Sequence, residues 1–172
     1  MADLFDKVTG DQDFFKKIAG KIPGFGGYIE RQNRRAADKI LRETIADRFE
    51  ELWQRVSSVQ ADFVSQGELL VLDDLEKAAL KLRTFIDKVK TASYGYSGFF
   101  DAAKINEEEL ARVYEYDAAM LDLVDEVGRA IDNVAASAGS EGLPAAIRNL
   151  IGAAQRCVDV FNRRDEVMTQ GA

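Results

Sequence analysis

Residues 28–66 contain neither glycine nor proline, and their apolar side chains recur every three or four positions: Ala37, Leu41, Ile45, Phe49, Leu52, Val56, Val59 and Phe63. That spacing stacks one apolar residue per turn on a single helical face and does not fit the two-residue alternation of a half-buried strand. The predicted helix is about 58 Å long at ~1.5 Å per residue. A stripe of that length cannot be covered by a loop, so the rest of the chain has to supply further helices.

It does. From about Glu68 to Ala92, Leu72, Leu75, Ala79, Leu82, Ile86 and Val89 keep the same three-four rhythm, and Gly67 as the whole connection implies an abrupt reversal into an antiparallel neighbour. A third helix opens where Asn106 can cap and Glu109 can complete a capping box, and it carries Leu110, Val113, Tyr114, Leu121, Val124, Ile131 and Val134. After the segment AASAGSEGLP, Pro144 suits the first turn of a fourth helix that runs to about Thr169. The expected fold is all-α: an antiparallel four-helix bundle with a very long first helix and a short N-terminal amphipathic helix. Residues 1–27 form an arm and residues 28–170 the bundle. A coiled-coil hairpin that completes its core by dimerising is the rival architecture.

Residue usage removes several chemistries. The 172 residues include one cysteine and no histidine, which excludes Ser-His-Asp and Cys-His catalysis, the usual zinc sites and the Glu-x-x-His ligands of di-iron bundles. Cys157 falls on the apolar line Ile147, Leu150, Ile151, Ala154, Val158, Phe161 and reads as packed core. A carboxylate-only Mg²⁺ or Ca²⁺ site would need an Asp-rich loop with a placed glycine, and the sequence offers none. No cofactor or metal is therefore expected. The opening MADLFDKVTGDQDFF carries aspartates where a secretory signal needs basic and then apolar residues, and no apolar run is long enough to span a bilayer. The expected location is the cytoplasm, with peripheral membrane contact as an option.

The formal charge of −7 is unevenly spread. Between residues 14 and 42, Lys16, Lys17, Lys21, Arg31, Arg34, Arg35, Lys39 and Arg42 face only Glu30 and Asp38, whereas the rest of the chain is acidic. Such polarity suits contact with something negative. In the predicted short helix Gln12–Ala19, Phe14 with Ile18 and Phe15 with Ile22 form i, i+4 pairs, and Lys16, Lys17 and Lys21 lie toward the other side. This pattern fits docking onto the bundle, a membrane surface or a protein partner. The candidate contact residues are Phe14, Phe15, Lys16, Lys17, Ile18, Lys21, Arg31, Arg34 and Arg35. The glycines of IPGFGGY read as a hinge into the long helix; no Lys-Ser or Lys-Thr follows them as a P-loop requires. Nucleic acid fits poorly, since an acidic body repels phosphate and no recognition motif is present.

The segment Tyr94-Gly95-Tyr96-Ser97-Gly98-Phe99-Phe100-Asp101 packs four aromatics into one connection. Either the rings close the open end of the core, or Tyr94, Tyr96, Phe99 and Phe100 line a pocket with Asp117, the carboxylate set within the third helix's apolar stripe. Asp117 is expected to be a paired structural group, bound to an early arginine or a loop tyrosine.

IPGFGGYIERQNRRAADKILRETIA together with YGYSGFFDAAKINEEELARVYEYD resembles an uncharacterised group of bacterial proteins of similar size, across most of the chain. The resemblance implies a bacterial cytoplasmic, all-helical protein, with an association to membrane-stress and membrane-scaffold neighbours. The combined reading is a non-catalytic interaction or scaffold protein that meets a protein partner or an anionic membrane surface through its basic, aromatic N-terminal region; a homo-oligomer also fits. The alternative is a helical-bundle ligand binder or enzyme with a pocket at the 94–101 loop.

Overall fold

The computed structural model describes residues 18–22, 34–92 and 107–170. Residues 18–21 form a helical turn. They are followed by α1 (Arg34–Gln66), a 3₁₀ turn (Leu69–Val71), α2 (Leu72–Thr91), α3 (Glu107–Ala136) and α4 (Leu143–Gln170). Among the described residues there is no strand.

The end of α1 follows from one residue. Gly67 adopts φ +79°, the left-handed conformation that costs a residue with a Cβ, and so the backbone can fold back on the last turn. Gly67 N–H donates to Val64 O (3.2 Å) and Glu68 N–H to Phe63 O (2.9 Å), satisfying two terminal carbonyls in a Schellman arrangement. The reversal is longer than a single glycine, however: the chain makes the 3₁₀ turn before α2 begins at Leu72. Asp73 and Asp74 occupy the first turn of α2 and Lys88 and Lys90 its last, each sign facing the favourable pole of the helix dipole. The turn after α3 also uses a left-handed glycine, Gly139 at φ +72°. Gly139 lies beside the Glu68 side chain, so both turns occupy one end of the molecule. The cap expected at Asn106 lies outside the described residues.

The four helices close around a shared core. α1 packs on α2 and α3, and α4 packs on α2 and α3. Side-chain pairs give the directions. Arg42 meets the Val89 carbonyl, Glu50 meets Arg83 and Gln60 meets Glu76, so α1 and α2 run oppositely. Asp117 with Arg164 and Glu126 with Arg156 show the same for α3 and α4. Lys81 with Gln155 and Lys88 with Asn162 run in step, so α2 and α4 share a direction.

Leu41, Ile45, Phe49, Val56 and Phe63 of α1 are buried, as are Leu75, Leu82, Ile86 and Val89 of α2. At mid-height three rings from three helices meet edge to face: Phe85 lies 4.5 Å from Phe49 and 6.2 Å from Phe161 between centroids. On the outer side of α1 and α2, Arg83 grips Glu50 through two hydrogen bonds (2.8 and 3.1 Å) and stacks over Trp53 at 4.2 Å from the ring centroid. That grip holds the Glu50 carboxyl below its ordinary range.

Candidate functional site

Near the start of α1 the apolar core gives way to charge. Arg164 of α4 is completely buried, and its guanidinium faces two carboxylates. Nε donates to Asp117 Oδ1 of α3 at 2.5 Å and Nη2 donates to Asp117 Oδ2 at 3.4 Å, while Nη2 also bonds Asp38 Oδ1 of α1. Asp38 in turn accepts from Arg42 Nε at 2.8 Å, one turn further along α1, and Arg42 Nη1 donates to the Val89 carbonyl of α2 at 3.2 Å. All four helices therefore meet in one ionic chain, Arg42–Asp38–Arg164–Asp117.

Burial decides what such a chain can do. An isolated charge in a protein interior costs several kcal/mol, whereas two carboxylates alternating with two guanidiniums neutralise one another, and among the described residues no buried side-chain nitrogen or oxygen lacks a hydrogen-bond partner. Burial nevertheless outweighs the pairing at Asp117. Desolvation pushes its carboxyl up from 3.8 to about 6, with the Asp38 charge adding to the rise and Arg164 and then Arg42 opposing it. A folded-state value above the unfolded one means that folding takes up a proton between pH 3.8 and about 6. The contribution of Asp117 to stability is thus fully present below the lower value and lost as pH rises through the upper one. Asp117→Asn is expected to remove this slope, so that from mildly acidic to neutral pH the variant gains stability relative to the wild type. Denaturant unfolding across that pH range measures the difference, and parallel curves for the two proteins would contradict it.

Asp117 is paired, as expected, but its hydrogen-bonding partner is Arg164 from the last helix; the early arginine Arg42 bonds Asp38, to which Arg164 also donates, and acts on Asp117 through its charge. Of the N-terminal candidates, Ile18 is wholly buried in the main core beside Ile22, and Lys21 donates to the Leu121 carbonyl (3.4 Å) and to Asp125 (3.3 Å) of α3. Arg34 and Arg35 fall in the first turn of α1. Phe14, Phe15, Lys16, Lys17, Arg31, Tyr94, Tyr96, Phe99 and Phe100 lie outside the described residues.

Two further surfaces stand out. A groove of about 370 Å³ between α1 and α3 is edged by Arg48, Arg55 and Arg129 and by Glu51, Asp125 and Asp132. Its charges balance, and Arg55 is already held on Asp132, so it is no cradle for a single anion. At the opposite end from the ionic chain, Leu69 and Leu70 project from the turn after α1, Leu70 with 99% of its surface in solvent, and Val64 is exposed beside them. Neither surface carries a recognisable motif; the tip is visible only once the turn geometry is known.

Cys157 is buried, its thiol donates to the Ala153 carbonyl at 3.3 Å, and desolvation pushes its pKa up to about 12, which keeps it protonated. Among the described residues no three His, Cys, Asp or Glu side chains group to hold a metal ion, and no helix is long and apolar enough to cross a membrane. Comparison with protein-family models, curated proteins and solved structures finds no match.

Proposed function

We propose that this chain is a non-catalytic interaction or scaffold protein. Its body is a four-helix bundle built from two antiparallel hairpins set side by side, with α1 as its longest member, and its contact region is the basic, aromatic N-terminal stretch. The observation that carries this reading is the seating of the short N-terminal turn. Ile18 and Ile22 spend the apolar side of that turn on the core, and Lys21 is tied to α3. The stretch also carries the positive charges of Lys16, Lys17, Arg31, Arg34 and Arg35, which suit an acidic protein surface. Membrane insertion by the same stretch would first have to pull Ile18 out of a fully buried position, which sets the protein partner ahead of the lipid.

A photo-crosslinking amino acid tests the reading. It is placed at position 17 in one protein and, as a control, at exposed Asp159 on the far end of the sequence in another, and both are irradiated in the native cell. A discrete set of protein adducts from position 17, reduced when Lys16 is also changed to Glu and absent from the control, is expected. The same adducts from both positions would remove the basis for the assignment.

A further inference from the structure

Gly128 stands in the interior of α3, in the groove between α1 and α3, and its backbone gives no reason for a glycine. Its φ is not left-handed, and glycine is the poorest helix former after proline. Helix packing gives no reason either. A Cβ at this position would come 3.4 Å from an Nη of Arg55 and 3.7 Å from a Cδ of Leu52. The first is the far end of a flexible side chain and the second is ordinary contact, so α1 and α3 would still fit together around an alanine. The missing side chain adds depth. Buried Leu52 and Gly128 and half-buried Val124 form the floor of the groove, whose volume of about 370 Å³ is that of a site for a small molecule.

The charges on its walls are not equivalent. Arg55 is held by Asp132 and the Gly128 carbonyl, and Asp125 is held by Lys21. Arg48, Glu51 and Arg129 are exposed and form no hydrogen bond or ion pair among the described residues. α1 and α3 both run against α4, so they share a direction. Because Arg55 reaches both Gly128 and Asp132, Arg129 stands about level with it. Arg48 lies two turns earlier, about 10 Å back along the axis at ~1.5 Å per residue, and Glu51 falls between. The uncommitted charges therefore run positive, negative, positive along the groove. A simple anion such as phosphate would answer the arginines but meet repulsion from Glu51. The complementary ligand has two acidic groups with a cationic group between them, the pattern of an amino acid with an acidic side chain.

We infer that the groove binds a free acidic amino acid, with its two carboxylates on Arg48 and Arg129, its ammonium on Glu51 and its carbon chain over Leu52 and Val124. Guanidinium and carboxylate match through paired hydrogen bonds, and the ammonium distinguishes this ligand from a plain diacid. None of these residues belongs to the N-terminal contact region.

Amide NMR of the full-length protein, titrated at constant ionic strength with L-glutamate, glutarate and inorganic phosphate, tests the inference. L-glutamate is expected to shift the resonances of residues 48–52 and 124–129 saturably. Glutarate, which lacks the ammonium, and phosphate are expected to bind about tenfold more weakly, the scale of one charged hydrogen bond partly open to water. Glu51→Gln should cost about the same factor for glutamate and erase its advantage over glutarate. Arg48→Gln with Arg129→Gln, at exposed positions that the fold does not use, should abolish binding. Gly128→Ala is expected to raise the melting temperature while weakening binding, since it strengthens the helix and fills the floor. No saturable shift with glutamate up to about 20 mM, where even a millimolar site would be mostly filled, would overturn the inference. So would glutarate or phosphate binding the wild type as well as glutamate does, or a Glu51→Gln protein that still prefers glutamate.

Discussion

Replacing Arg164 with methionine is expected to destabilise the fold by about 3–5 kcal/mol, the cost of stripping the partner from a buried charge. The guanidinium is fully buried and serves two carboxylates on two other helices, so its removal orphans Asp117 and leaves one oxygen of Asp38 without its cation. The arrangement also predicts a rescue. Arg42 and Asp38 form a pair of their own at 2.8 Å, so taking out Arg164 and Asp117 together removes a neutral unit and leaves a neutral unit behind. Arg164→Met with Asp117→Leu should therefore recover most of the loss, the two effects being strongly non-additive. Urea unfolding near neutral pH gives all three free energies. A single variant within about 1 kcal/mol of the wild type would show that the ionic chain does not hold the helices together.

Phe85→Ala is expected to cost a similar amount, about 3–5 kcal/mol, for an unrelated reason. The ring is fully buried and fills the space where α1, α2 and α4 converge, with its neighbours Phe49 and Phe161 turned edge-on at 65° and 88°. Neither neighbour can swing into the void without abandoning its own packing, so a cavity remains. Phe85→Leu should recover about half of the loss by refilling part of that volume. Equal midpoints for Phe85→Ala and wild type in the same urea titration would mean that the site collapses freely.

Much of the core was readable from spacing alone. The stripe from Leu41 to Phe63 is buried throughout because one residue per turn is what a helix on a flat neighbour needs, and that periodicity survives in the sequence without any tertiary information. Phe85 escaped because α2 touches α1 on one side and α4 on the other; a helix wedged between two partners buries a wider arc than a single line of residues, and Ala78 and Phe85 complete it. The charged chain was only partly readable. Asp117 drew notice by sitting between Val113 and Leu121, one turn from each, but Asp38 and Arg164 were passed over because a charged residue on a helix is exposed by default. The signal was there in the same form: Arg164 stands on the line through Cys157, Phe161 and Met168, and Asp38 on the line that continues through Leu41 and Ile45. Opposite charges on the apolar lines of different helices ask to be paired. The side-by-side order of the two hairpins was not readable, because spacing says which face a helix buries and not which neighbour buries it.

The contact between Arg164 and Asp38 spans 126 residues of sequence, whereas each hairpin closes over a short turn. Closing a long loop loses more chain entropy than closing a short one, and contacts made late in folding are felt chiefly in the rate at which the native state is lost. The Arg164–Asp38 link of the ionic chain is in that sense a latch rather than a nucleus. The hairpins can form from local contacts around Gly67 and Gly139, with Asp38–Arg42 paired inside α1 and Asp117–Arg164 inside the second hairpin, and the Arg164–Asp38 bond engages only when the two halves have met. Changes at the latch would shorten the lifetime of the native protein while leaving its speed of formation nearly untouched.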